Sequence, residues 1–398
     1  MIYASIDIGS DTIKIVVAEK IKDHINVLGA INTKTVGIKK GIIVDSEMVY
    51  RSLNLALLEI EKEVGFKVDK AILNIPSIDT TINVLNGEVY TDGIITGSDI
   101  VNCFKSAIKG NTPDELEVIT IFPIDFTVDD EDKYTNPKGI NGYKLESRVL
   151  VSMVPKEVVY PYLEVLDRCN VEVIDLALGC ISDFYNMEKD DFKNGVGALI
   201  NIGESKTEIG VFNKGLLIKS NVLNIGSKKV DQDIRYVYNL DRITARYLKE
   251  NIAVATSKYA KEDFFFECEN VNGEKKQINQ VELSQVVEER LKEILKNVKN
   301  SLNELTNREI RYIIITGGIS NLSGFNYLVL DCFGDITYTI NMNTIGVRNN
   351  IYGTCFGMIK YLCDKLELRD INYTMYEKNE NKNYDNVLDK IQNFINNN

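Results

Sequence analysis

Two segments set acidic, small and basic side chains around a glycine, each between apolar runs. A third pairs two glycines after an apolar strand. The first is Asp7-Ile8-Gly9-Ser10-Asp11-Thr12-Ile13-Lys14. A turn without a Cβ lets backbone N–H groups approach anionic oxygens. Gly9, Ser10, Asp11 and Thr12 would present such amides to phosphate, and Lys14 on the returning strand would supply a cation. Asp7, at the end of the entering strand, would order Mg²⁺ through water. The second segment, Asn201-Ile202-Gly203-Glu204-Ser205-Lys206-Thr207, repeats this plan, with Asn201 as a weaker metal contact. The third, Ile315-Thr316-Gly317-Gly318-Ile319-Ser320, runs a strand into Gly-Gly, where a flat purine could lie against the backbone. Singly, each is also what an ordinary hairpin or strand–helix turn looks like. Together, one phosphate-type hairpin in each half and a late Gly-Gly turn predict a nucleoside triphosphate held between two lobes. No G-x-x-x-x-G-K-S/T and no G-x-G-x-x-G occurs, which disfavours a P-loop or a dinucleotide site.

The elements that would position these turns follow from hydropathy. Apolar runs Ile2–Ile8 and Thr12–Ala18 flank the first turn, and Ile25–Ile31 adds a third strand. A helical stripe follows from Ser46, on Val49, Leu53, Ala56, Leu57 and Ile60, and then a strand, Ala71–Ile75. Val196–Ile202, Thr207–Phe212 and Leu216–Val222 repeat the strand order around the second turn. The halves therefore read as an internal structural repeat of two lobes. Between Ile82 and Ser152 the character changes to a small α+β unit with a helix over Ser98–Lys109 and strands over Val118–Pro123 and Leu145–Met153. Val281–Leu305 is a long amphipathic helix. After Glu377 the chain turns rich in Asn, Lys and Glu, and a helical stripe returns at Val387, Leu388, Ile391 and Phe394.

The 398 residues are more than one simple core needs. A net charge of -12 without a Lys/Arg block argues against a nucleic-acid grip. The seven cysteines form no C-x-x-C and fit a reduced interior. One histidine, His24 in a polar turn, rules out a multi-His metal site and argues against a Ser-His-Asp triad. The start lacks a signal peptide's pattern, and no apolar stretch spans a bilayer, so the expected location is cytoplasmic, free or on the inner face of the membrane.

Further segments, which nucleotide binding does not require, carry a family resemblance. Gly41-Ile42-Ile43-Val44-Asp45, Pro123-Ile124-Asp125-Phe126-Thr127-Val128-Asp129, Asn136-Pro137-Lys138-Gly139-Ile140-Asn141-Gly142, Leu145-Glu146 and Ile225-Gly226-Ser227 before Asp233-Ile234 resemble elements of the FtsA family of cell-division proteins. The resemblance covers nearly all of residues 1–376. It implies an α/β, actin-like two-lobed fold of ribonuclease-H-like repeats with an inserted 1C-type subdomain. Its expected divisions are 1A over 1–82, 156–195 and 343–376; 1C over 83–155; 2A over 196–229 and 309–342; and 2B over 230–308. A linker over 377–383 and an amphipathic tail over 384–398 would follow. It also implies ATP and Mg²⁺ as ligands, with Gly226 and Lys249 joining the nucleotide contacts, and filaments formed with further copies. The FtsZ C-terminal peptide would be the partner, bound at 2B, and later division components would be recruited.

Three departures from the family qualify this. Asn201 and Glu204 stand where the family has Asp and Gly, and Ala245-Arg246-Tyr247-Leu248-Lys249 keeps the lysine of its A-E-x-x-K helix but not the acid. A neutral Asn201 cannot help deprotonate water, so any ATPase is expected to be slow. The tail carries Asp385 and Asp389 against Lys390 where the family's tail is basic. It is expected to attach to the membrane, with docking on a partner or on the core, or disorder, as alternatives. Rival readings of the whole chain are an actin-like pilus-assembly ATPase and a small-molecule kinase of the same superfamily.

Overall fold

A computed structural model describes residues 1–131, 133–187, 192, 195–339, 342 and 344–376. The expected linker and the tail residues Val387, Leu388, Ile391 and Phe394 lie outside these.

Strand β1 (Ile2–Ile8) is buried along its whole length, as a strand covered on both faces must be. It turns at Gly9 and returns antiparallel as β2 (Thr12–Ile21), and β3 (His24–Lys34) pairs beyond it. A short ribbon of β4 (Ile38–Lys39) and β5 (Ile42–Ile43) leads to α1 (Ser46–Val64). Asp45 caps that helix by accepting from the Met48 N–H, and Gly65 ends it at φ 82°. Its buried stripe includes Val49, Leu53, Ala56, Leu57 and Ile60. Strand β6 (Lys70–Ile75) then lies parallel to β1.

The inserted unit comprises β7 (Thr81–Ile94), α2 (Gly97–Ile108), β8 (Leu116–Val128), β9 (Lys133–Tyr134) and β10 (Asn141–Pro155), with strand order β7-β10-β8-β9. Its core, which includes Phe104, Phe126, Leu145 and Val149, is separate from those of the lobes. Strand β7, fourteen residues long, is not apparent from composition because Gly87 and Gly93 interrupt it. Gly87 is there because α2 packs so closely that a Cβ would stand 2.1 Å from the Cys103 carbonyl oxygen.

Helix α3 (Lys156–Arg168) leads back to β11 (Glu172–Leu178), which completes the first sheet in the order β11-β6-β1-β2-β3. The short helix α4 (Gly179–Phe184) crosses to the second lobe. There β12 (Val196–Ile202), β13 (Thr207–Asn213) and β14 (Leu216–Leu223) form the repeat, followed by α5 (Lys228–Tyr238) and α6 (Arg242–Tyr247). Directly after α6, one π-type turn spans Leu248–Ile252. A ribbon of β15 (Phe265–Glu269) and β16 (Lys275–Asn279) precedes α7 (Gln280–Leu305). Strand β17 (Ile310–Thr316), helix α8 (Phe325–Phe333), β18 (Thr337–Thr339) and helix α9 (Gly353–Leu368) complete the described elements. The second sheet reads β14-β13-β12-β17-β18, the same plan as the first taken from its other edge.

Two large cores follow the two sheets, but the division is not clean. Leu199, Phe212, Leu217, Tyr312 and Ile314 of the second sheet belong to the core of the first lobe. The chain's last described residues return to its beginning. Tyr376 bridges to Ile2, and Met375 N–H donates to the Ile2 carbonyl, at the end of β1 farthest from Gly9.

Candidate functional site

The internal repeat places two matching turns opposite each other. In the first, Gly9 N–H donates to Thr12 O at 3.0 Å; in the second, Gly203 N–H donates to Lys206 O at 3.0 Å. The register matches too: Asp7 lies across from Lys14 on β1 and β2, and Asn201 across from Glu208 on β12 and β13. Gly317, at φ 98°, runs against the second hairpin so closely that a Cβ would stand 2.4 Å from Ile202 O.

One cleft of about 470 Å³ lies between these turns, within the range of small-molecule sites. Its wall includes Gly9, Ser10, Asp11, Thr12 and Lys14 from the first lobe and Gly203, Glu204, Ser205, Lys206 and Lys249 from the second. Gly317, Gly318 and Ile319, with Asp7 and Asn201, complete the set brought together there. Gly226 is a correction: it does not line this cleft but faces a neighbouring depression. A Cβ on it would meet the Gly203 and Glu204 carbonyl oxygens at 2.6 Å, and next to it Ser227 and Lys228 donate N–H to those same oxygens. Its role is to brace the second turn from behind.

The charges of the cleft floor are paired. Lys14 Nζ lies 2.9 Å from Asp7 Oδ2, and Asn74 Nδ2 donates to Asp7 Oδ1 at 2.8 Å. Burial alone would raise the Asp7 carboxyl, but the Lys14 ammonium and the Asn74 amide together bring it below its ordinary value. Lys14 is raised: its burial, which would lower it, is outweighed by the Asp7 carboxylate. Lys206 pairs with Glu208 at 2.5 Å and reaches into the first lobe, where its Nζ lies 3.1 Å from where a Gly41 Cβ would stand. Lys249 is buried, with its ammonium 2.7 Å from Asp231 Oδ1. It thus reaches the cleft wall, but its charge is given to Asp231.

The sequence reading missed several of these residues. Glu208 was discoverable from the repeat, because it occupies in the second hairpin the register position that Lys14 holds in the first. Asp183 was not, since nothing local marks the helix α4 that carries it. It accepts from Asn201 Nδ2 at 2.6 Å and from Thr354 Oγ1 at 2.9 Å. Burial pushes its carboxyl up to about 7; the Thr354 and Asn201 hydrogen bonds oppose that rise, and the Glu208 and Asp7 carboxylates add to it. Arg246 was noticed only as a departure. The π-type turn after α6 brings Arg246, Lys249 and Glu250 to the same wall, as such turns often do at sites.

Two buried polar atoms on the wall, Ser205 Oγ and Asn74 Oδ1, have no partner within the described protein. Such orphans suit a polar ligand or ordered water. Among the described residues no cluster of three or more His, Cys, Asp or Glu could hold a metal by itself. A divalent ion here would rest on phosphate oxygens and on water beside Asp7.

Comparison with known proteins points the same way. A family model described as cell division protein FtsA matches residues 198–357, and one described as the SHS2 domain inserted in FtsA matches residues 79–153. Together they take in more than half of the chain. The cell division protein FtsA of Bacillus subtilis is 29% identical over 384 residues, covering 95% of this chain and 87% of that protein. That of Enterococcus hirae is 26% identical over 371 residues, covering 92% and 84%. Among solved structures, a chain of the PilM-PilN type IV pilus biogenesis complex aligns with a TM-score of 0.61 at 14% identity, over 92% of this chain and 98% of that one. MreB5 of Spiroplasma citri bound to ADP aligns with a TM-score of 0.58 at 13% identity, over 93% and 98%. At such identities the likeness speaks for the fold, which is the actin-like two-lobed fold with an inserted α+β unit.

Proposed function

Because this chain belongs to the FtsA family of cell-division proteins, we propose that it is an ATP-binding, filament-forming scaffold that tethers FtsZ to the inner face of the cytoplasmic membrane. The observation that carries the nucleotide part is the pair of matching glycine turns facing one another across a single cleft. A triphosphate's oxygens require backbone N–H groups, and two glycine turns flanking one cleft are where such groups would come from. A solved neighbour of the same fold, MreB5, is bound to ADP. Asp7, held ionised by Lys14, is the carboxylate suited to order the waters of Mg²⁺, with Asn201 as a neutral second contact. Magnesium would supply charge neutralisation for the phosphates. Since Asn201 gives its amide N–H to Asp183 and carries no charge, it offers no base, and turnover is slow.

The partner reading rests on the second lobe. Tyr236 on α5 is 89% exposed and Ile243 on α6 is 82% exposed, large apolar side chains that suit a peptide. The stretch 230–308 that carries them is the proposed 2B subdomain. The inserted unit, residues 83–155, is the proposed 1C subdomain for contacts between copies. Among the described residues no helix is long and apolar enough to cross a membrane, and the apolar stripe of 384–398 is the proposed surface anchor.

The test is co-sedimentation of the full chain with liposomes and an FtsZ C-terminal peptide, with and without Mg-ATP. Lipid-bound protein that captures the peptide is expected. Deletion of 384–398 should release the protein from lipid but leave the peptide bound in solution. Peptide binding that survives a double change, Tyr236→Ala with Ile243→Glu, would place the partner elsewhere.

A further inference from the structure

Helix α1 carries a second stripe, on the side turned away from its core. Met48, Arg51, Leu55 and Leu58 follow one another at intervals of three, four and three residues, and Lys62 adds a further four. Met48 is 48% exposed, Leu55 65% and Leu58 47%. A helix that buries one face ordinarily carries polar residues on the other. Most of its acids are engaged away from the stripe. Glu47 pairs with Arg51 and Arg168, Glu61 accepts from the Val68 N–H and Glu63 from the Ala30 N–H, which leaves Glu59 beside it.

The segment 384–398 has the same spacing. Tyr384, Val387, Ile391 and Phe394 also stand at three, four and three, with Leu388 and Ile395 next to them. As a helix it would carry an apolar seam as long as the one from Met48 to Leu58, about 15 Å. Matching seams of this period are what pair two helices side by side. Asp385 and Asp389 against Lys390 give the segment a charge opposite to that of Arg51 and Lys62. The chain also brings it near. The rings of Tyr376, the last described residue, and Phe66 have centroids 4.9 Å apart, and Phe66 lies just past the C-terminal end of α1. The stretch 377–383 reaches roughly 25 Å when extended, enough to bring the segment onto α1 at Lys62. A segment arriving there runs back along the helix.

We propose that 384–398 docks antiparallel on the Met48–Leu58 stripe of its own chain, and that docking masks the apolar residues assigned above to lipid. The docking stands without the anchor; the masking rests on that reading. One set of side chains then serves two surfaces, so the docked fraction sets the affinity for lipid. Nine-tenths docked weakens it about tenfold.

Hydrogen–deuterium exchange of the full chain, at a concentration where it sediments as a monomer, tests the docking. Leu55→Glu with Leu58→Glu changes only exposed positions and should speed amide exchange over 384–398 about tenfold. Leu55→Gln with Leu58→Gln serves if the paired glutamates unfold the chain. Pelleting with vesicles of phosphatidylglycerol and phosphatidylethanolamine tests the masking: the variant should bind them tighter by the same factor. Exchange over 384–398 that the variant leaves unchanged would overturn the docking. Protection that appears only as dimers form would give the stripe to a second copy and overturn docking within the chain. Faster exchange with unchanged lipid affinity would overturn the masking alone. Vesicle binding by neither protein would overturn the anchor and with it the masking, while the exchange decides the docking.

Discussion

Asp183 is buried under the cleft, and its proton has consequences for stability. Its folded carboxyl stands at about 7, against about 4 for an unfolded aspartate. Between those values the folded protein keeps a proton that the unfolded chain has released, so this group's contribution falls as pH rises and is level above about 7. Asp183→Asn should remove that slope, which is on the order of 1 kcal/mol per pH unit, and should be the more stable protein at pH 8. Urea unfolding of both proteins from pH 5 to 8 measures it; parallel curves would refute the shift. Lys249 offers a second case. Asp231 beside it is raised by burial in spite of the ammonium, so removing that ammonium leaves a buried acid uncompensated. Lys249→Met should cost about 3 kcal/mol in urea unfolding.

Helices and turns differ in how plainly the sequence announces them. The turns at Gly9 and Gly203 were legible because small polar residues break apolar runs at equal intervals, and the same break occurs twice. Helix α1 was legible because its 3.6-residue stripe faces one core. Strand β7 was hidden because its glycines answer to the closeness of α2, a tertiary fact. The π-type turn after α6 was hidden because Leu248–Ile252 contains no Gly or Pro and carries no local mark that separates it from ordinary helical sequence. The Gly-Gly after β17 gives a prediction at this scale. Gly317→Ala must adopt φ 98° and meet Ile202 O, so it should cost about 1–3 kcal/mol and displace the second hairpin. Thermal melting with nucleotide titration checks both effects.

The two lobes are joined through the core of the first. Phe212 and Tyr312 of the second sheet pack with the first lobe's hydrophobic residues, so the lobes should unfold in one transition. Mg-ATP at a hundredfold over its dissociation constant should raise the stability of that transition by about 2.7 kcal/mol. Two separate melts, only one of them responding to nucleotide, would refute the coupling. A last consequence comes from Tyr376, stitched to Ile2 at the opposite end of β1 from Gly9. Seven residues of extended strand, roughly 20 Å, separate the two ends. Tyr376, the last described residue, therefore sits at the back of the first lobe, at the end of β1 away from the turn at Gly9. On the proposed anchoring, hold and exchange are parted: the glycine turn that would take nucleotide lies at one end of β1 and the last described residue at the other, so a ligand could come and go without disturbing that attachment end.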